Sequence, residues 1–287
     1  MEEEALKNHK KAMEISDTVM KTVREMAVIN TRAFDLAEKI EEKIKEMGGF
    51  PAFPVNISIN EIAAHYTPEL NDGLVLKEGN LVKIDAGVQV DGYINDAAFT
   101  VCIGKNTHPL VEASESALNE ALKIMKVGSQ VWEISEVVEN TLVEKGFRPV
   151  RNLCGHGLER FNQHGHPSIP NGKNKSKEVL EEGHAYAMEV FVTDGEGLVK
   201  DSSPTMIYKF VQDRPVRMPE ARKVLDMAKK DYFMLPFAKR WVAKKISPIK
   251  LDFALRQLEE IEAIESFPVL KEVSGGLVAQ TEQTVLL

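Results

Sequence analysis

Residues 81–103, LVKIDAGVQVDGYINDAAFTVCI, leave the chain little freedom in how they fold. Two apolar runs flank Asp91-Gly92. Asp-Gly between alternating hydrophobics makes a tight hairpin, because a type I′ turn needs positive φ at both central positions and these residues tolerate it best. With that pair as the loop, Val90 faces Tyr93, Gly87 faces Asp96 and Asp85 faces Ala98. Residues two apart on a strand share a face, so Asp85 and Asp96 become diagonal neighbours, roughly 7 to 8 Å apart at Cα. A lone Asp commonly ends a strand or caps a turn. Two on one face among Val, Ile and Ala need a partner, since unpaired buried carboxylates are costly, and one or two cations would serve.

The rest of the chain must supply what completes such a site. At 287 residues and 43% hydrophobic it can bury a large core in one big domain or two modest ones. A net charge of −8 argues against nucleic acid as the main partner. Cys102 and Cys154 are too few for a disulfide framework and nothing reads CxxC, so a reducing compartment fits. The N-terminus has no apolar signal core and no window approaches 18 apolar residues, so a soluble, cytoplasmic protein is expected.

Helical periodicity runs from Glu2 to about Glu46, broken at Asn30-Thr31 and ended by Gly48-Gly49. Phe50–Ile59 reads as a strand, followed by a short helix around Asn60 to His65. Two amphipathic helices fill 106–147, entered through Thr107-Pro109 and Ser129. Strand, hairpin and helices in this order give an α+β layering. From Pro215 to Ser266 the chain turns helix-rich and basic, an inserted helical subdomain whose basic face reads as solvated surface. The main domain is then 1–214 together with 267–287.

Three further segments place polar groups in apolar strands. Gly155-His156-Gly157 permits close backbone approach or unusual φ around a His, and His164 and His166 follow. Glu189 sits in AYAMEVFV and Glu282 in VAQTEQTVLL, where Gln280, Glu282 and Thr284 share a face. Four carboxylates and one imidazole suit Mn(II), Co(II), Fe(II) or Zn(II), and bridging carboxylates suit two ions.

In the stretches FPVNISINEIAAHYTP, VKIDAGVQVDGYINDAAFTV, NLCGHGLERFNQHGHPSIPN, YAMEVFVTDGEGLV and AQTEQTVLL the chain resembles the type II methionine aminopeptidases, in their archaeal form. These belong to the pita-bread metallopeptidases, along with prolidase and aminopeptidase P. The resemblance implies a pita-bread fold, a pseudo-twofold antiparallel sheet core covered by helices, with the helical insertion marking type II. It implies two divalent metal ions (Co, Mn, Fe or Zn) held by Asp85, Asp96, His156, Glu189 and Glu282. Asp85 would bind one ion, Asp96 and Glu282 would bridge, and His156 with Glu189 would complete the other. Glu189 would shuttle protons, while His65 and His164 position the peptide or stabilise the oxyanion. Phe53 and Phe267 would wall the methionine pocket, and Thr100 would hydrogen-bond Asp96.

The activity so implied is removal of the initiator methionine, before a small second residue, by attack of a metal-bridging hydroxide. The partners are N-termini of nascent polypeptides, with room for transient ribosome association, no membrane, no direct nucleic-acid binding, and a monomer. The family's last strand continues further than Leu287, so a short final strand holding Glu282 less firmly is expected. Two alternatives are an X-Pro aminopeptidase or prolidase, and a metal-free pita-bread binding module. The former carry an extra N-terminal domain for which 52 residues before Phe53 leave no room, and the latter have lost ligands that this chain keeps.

Overall fold

A computed structural model describes residues 3–287. In chain order its elements are α1 (Glu3–Met26), α2 (Ala33–Glu46), β1 (Phe50–Pro51), β2 (Asn56–Ile59), β3 (Ile62–Ala64), β4 (Leu81–Val90), β5 (Tyr93–Cys102), α3 (Pro109–Ile124) and α4 (Val131–Glu144). There follow β6 (Arg148–Pro149), β7 (Cys154–Glu159), β8 (Asn162–Pro170), β9 (Ala185–Thr193), β10 (Val199–Phe210), α5 (Pro219–Lys230), β11 (Phe237–Ala238), α6 (Lys239–Ala243), α7 (Pro248–Glu260), β12 (Ile264–Glu272) and β13 (Val278–Leu286). The sequence reading begins the first helix at Glu2, which lies outside the described residues.

The hairpin forms in the register the sequence dictates, with Val90 on Tyr93, Gly87 on Asp96 and Asp85 on Ala98. Asp91 (φ 51°) and Gly92 (φ 84°) both take the left-handed conformation that the turn demands. Around β4 and β5 a nine-stranded antiparallel sheet assembles in the order β1-β4-β5-β13-β9-β7-β8, with β2 on β4 and β6 on β9. One face of this sheet is covered by helices in two matching halves. The apolar stripe of α1 (Ala12, Ile15, Val19, Val23) and that of α2 (Leu36, Ile40, Ile44) bury Val82, Ile84 and Phe99 of the hairpin. The α3–α4 pair buries Met188, Val190 and Val192 of β9 with Ala279 of β13. Helices on one face leave the other free for chemistry.

A second sheet, in the order β11-β10-β12-β3, lies outside that pattern. Its third and fourth strands explain one departure from the sequence reading. Residues 60–65 are not a helix: Asn60 turns at φ 55° and Ile62–Ala64 pairs with β12. Helical spacing there loses to strand partners some 200 residues away, which no local pattern reveals. The helices at 109 and 131 are preceded by His108 and Gln130, and the His108 ring accepts from the Leu110 amide (3.2 Å).

Between Pro215 and Ser266 the chain builds α5, β11, α6 and α7, whose apolar faces pack with Tyr208 of β10 and Ile264 of β12. Residues 264–266 already belong to β12. The basic face is not all solvated. Arg240 is 2% exposed and pairs with Glu41 and Glu38 (3.1 Å) of α2 and with the Thr67 hydroxyl. Trp241 Nε1 donates to the same Glu41 (2.7 Å), so α6 is anchored to the first helical layer.

The final strand is also firmer than expected. β13 runs nine residues, pairs with β9 from Val278 to Leu286 and with β5 at Glu282, and so sits in mid-sheet with Glu282 at its centre. No helix among the described residues is long and apolar enough to cross a membrane.

Candidate metal centre

Strand pairing sets the candidate ligands in two rows on the helix-free face. Partners run Asn56–Asp85–Ala98–Glu282–Glu189 across β2, β4, β5, β13 and β9. The next row, two residues along, carries Gly87 and Asp96 on the hairpin, then Thr284, Ala187 and His156 on β13, β9 and β7. The Thr284 hydroxyl joins the row by accepting from the Asp96 amide and donating to its carbonyl, both at 2.8 Å. Thr100, expected to hold Asp96, instead brackets Gln280, donating to its carbonyl (2.7 Å) and accepting from its amide (2.8 Å). One pleat further from Asp96, it bonds the partner strand beside it.

The glycines around His156 do the first of the two things glycine offers. A Cβ at Gly155 would overlap the Ala187 carbonyl, and one at Gly157 the His166 carbonyl. Close strand approach, not positive φ, therefore requires them. His156 Nδ1 lies 3.1 Å from the Gly157 carbonyl, which fixes the Nδ1–H tautomer and leaves the Nε2 lone pair for a cation.

Ligand atoms of Asp96, His156 and Glu282 all lie within 4.8 Å of one another, as do those of Asp85, Glu189 and Glu282. The resemblance groups His156 with Glu189; here Glu189 lies with Asp85, and Glu282 is common to both groups. Asp85, Asp96 and Glu282 are each 9% exposed or less, and Asp85 Oδ1, Asp96 Oδ1 and Glu282 Oε1 have no hydrogen-bond partner. Asp85, Glu189 and Glu282 share one donor, Gln280 Nε2, 3.3 Å from Glu282 and 3.5 Å from Asp85 and Glu189. The buried Lys83 ammonium does not neutralise them, because it donates to the carbonyls of Asn60 (2.9 Å) and Val278 (2.8 Å).

Burial pushes all four carboxyls up, and repulsion from neighbouring carboxylates adds to it at Asp96, Glu189 and Glu282. Asp85 rises to about 7, mainly through desolvation, and Asp96, Glu189 and Glu282 rise well above the carboxylate range. Orphaned oxygens, hard donors and one neutral imidazole in two groups sharing a carboxylate fit divalent cations, which would satisfy every unpaired atom at once.

Beside this centre lies a cavity of about 360 Å³, lined by Asp85, Asp96, His156 and Glu189 and by Phe53, His65, His164, Phe191, Ile207 and Phe267. The rings follow one another around it: His65 edge-on to Phe267 (5.7 Å), Phe267 to His164 (6.2 Å), His164 edge-on to His156 (4.7 Å). His65 follows β3 and Phe267 lies on β12, so the second sheet supplies one wall and the large sheet the other. Desolvation lowers His65 and His156 (to about 4) and, joined by the neighbouring His156 and His65, the more open His164 (to about 3), so all three are neutral near pH 7. Phe53 lies over Gly87, where a Cβ would meet its ring. Sequence reasoning assigned no role to Asn56, Gln163 or Ser168, which also line the cavity, and only Gln280 and Thr284 carried a signal, the shared face with Glu282.

Residues 7–215 match the profile of Metallopeptidase family M24, and the chain belongs to that family. Within it the chain is similar to curated methionine aminopeptidases. It is 45% identical over 278 residues to that of Thermococcus kodakarensis (96% of this chain, 94% of the relative), and 41% identical over 287 residues to that of Methanocaldococcus jannaschii (100% and 97%). Among solved structures, a thermophilic Arx1 superposes with TM-score 0.88 at 17% identity (100% of this chain, 88% of that one). The methionine aminopeptidase of Thermotoga maritima gives 0.73 at 22% (100% and 94%). These likenesses establish the pita-bread fold expected from the sequence motifs.

Proposed function

We infer that this protein is a metal-dependent aminopeptidase that removes the N-terminal methionine from polypeptides. The observation that carries the reading is the buried pair of ligand groups sharing Glu282, beside a cavity walled by Phe53 and Phe267, in a chain over 40% identical to methionine aminopeptidases along nearly its whole length. Asp85, Asp96, His156, Glu189 and Glu282 would hold the metal. Divalent ions bound there would lower the pKa of a shared water toward neutrality and polarise the first peptide carbonyl.

The chain's own groups do the rest. Glu189 lines the cavity beside Asp85 and is placed to take a proton from water and pass it to the leaving amine. His65 Nδ1 lies 3.2 Å from the Pro268 carbonyl and is thereby the protonated nitrogen, leaving Nε2 as an acceptor for the scissile amide N–H. His164, neutral and next to His156, is placed to donate to the oxygen on which charge develops. Phe53 and Phe267 offer apolar, polarizable surface to a thioether side chain.

All five ligands come from a single chain, so a monomer suffices. Contact with ribosomes would be transient, since a charge of −8 gives no general attraction to nucleic acid. The test is release of free methionine from Met-Ala-Ser by chelator-stripped protein with Mn(II) or Co(II) restored, read by mass spectrometry beside Leu-Ala-Ser and Ala-Pro-Ala. Cleavage of the Met peptide alone, lost in Glu189→Gln, is the expected result. Cleavage of Ala-Pro-Ala instead would move the reading to X-Pro peptides, and no cleavage with either metal would end the enzyme reading.

A further inference from the structure

Asn56 ends the ligand row beside Asp85, its direct partner across β2 and β4, and directly opposed side chains lie about 5 Å apart at Cβ. It is 4% exposed and lines the cavity. Its amide orientation is determined, because Nδ2 donates to the Pro54 carbonyl (2.9 Å) and only an NH₂ group can meet a carbonyl there. Oδ1 is consequently turned away from Pro54, and it is buried with no hydrogen-bond partner. A buried acceptor left empty costs stability, so its retention at the end of a ligand row calls for a donor that arrives with the substrate.

An enzyme confined to chain N-termini has to recognise a free α-amino group, whose N–H bonds need acceptors. The carboxylates in the row are required for cations, and a further anionic acceptor would add to a repulsion already felt by Asp96, Glu189 and Glu282. A neutral oxygen next to Asp85 avoids this. Gln163 Oε1 is also buried and unpartnered, but it sits on β8, at the far edge of the sheet from β2, and cannot serve the same end of the row. We propose that Asn56 Oδ1 accepts a hydrogen bond from the substrate's α-amino group and so selects free N-termini. This rests on the aminopeptidase reading.

The test compares binding of methioninamide and of its des-amino counterpart, 4-methylthiobutanamide, by calorimetry on Mn(II)-loaded protein. Wild type, Asn56→Leu and Asn56→Ala are measured, with bound Mn counted in each. Wild type is expected to prefer methioninamide. Both variants should lose about tenfold of that preference, the worth of one hydrogen bond, with affinity for the des-amino ligand and Mn content unchanged. An unchanged preference in the variants overturns the proposal. So does loss of Mn, which would make Asn56 a support for Asp85 or a ligand itself, or the absence of any preference in wild type. Cleavage of Met-Ala-Ser by the same wild-type preparation reports separately on the aminopeptidase reading. A protein that prefers methioninamide but cleaves nothing sinks that reading and leaves the amine site standing.

Discussion

Replacing Asp85 with Asn should make the metal-stripped protein more stable. Asp85 is buried in a row with Glu282 and Glu189, one of its oxygens has no partner, and its carboxyl is pushed from 3.8 to about 7. Because the folded value lies above the unfolded one, the folded state binds more protons between about pH 4 and pH 7. Stability contributed by this group is therefore lost as pH rises through that window and is constant above it. At about 1.4 kcal/mol per tenfold, holding the ionised group in the fold at pH 8 costs on the order of 4 kcal/mol. Asn carries no charge and adds a donor for the neighbouring carboxylates. For a chain of this length, 4 kcal/mol corresponds to a rise of about 7 °C in Tm. Differential scanning calorimetry of chelator-treated wild type and Asp85→Asn, from pH 4 to 8, measures the difference. The gap should be near zero at pH 4 and widen to pH 8. With Mn(II) restored the order should reverse, since wild type alone gains the full binding energy. A variant less stable than wild type without metal at pH 8, or a gap independent of pH, would refute the electrostatic account of the site.

Gly87→Ala puts a methyl into the space of the Phe53 ring, and overpacking of about 1–3 kcal/mol should appear as a raised KM for Met-Ala-Ser at nearly constant kcat; equal losses in both would place Phe53 elsewhere in the reaction. Thr284→Val removes the hydroxyl that serves both backbone groups of Asp96, and should cost about 1–3 kcal/mol in denaturant melts together with weaker metal retention. Arg240→Met strands the buried Glu41 carboxylate and should cost about 3–5 kcal/mol, part of which Glu41→Gln in the same chain returns. If the double variant is no better than the single one, the anchor of α6 on α2 is packing and not charge.

The hairpin at Asp91-Gly92 was legible because its information is local. A turn that requires positive φ, period-2 alternation and two aspartates of like parity dictate register and facing without reference to the rest of the chain. Glu189 stood out for a related reason, since a carboxylate in an apolar strand is an anomaly visible in one dimension; Glu282, which alone reads as an exposed strand charge, stood out only through the ordered set of motifs that supplied the family. Residues 60–65 were not, because β3 exists through pairing with β12, and Arg240 was not, because its partners lie on α2. The roles of Thr100 and Thr284 also escaped: both are plausible neighbours of Asp96 in sequence terms, and only strand order decides which hydroxyl reaches it.

By itself, then, the sequence determined which residues are chemically able to hold metal and which face of its own strand each occupies, because side-chain parity follows from covalent geometry. The tertiary structure decided that β13 enters between β5 and β9, making Glu282 common to both candidate metal groups and setting Asn56 at the row's end with an empty acceptor. That choice depends on the packing of two helical layers and a second sheet across the whole chain, a sum of contacts between residues, some of them more than 210 positions apart, that no local pattern encodes.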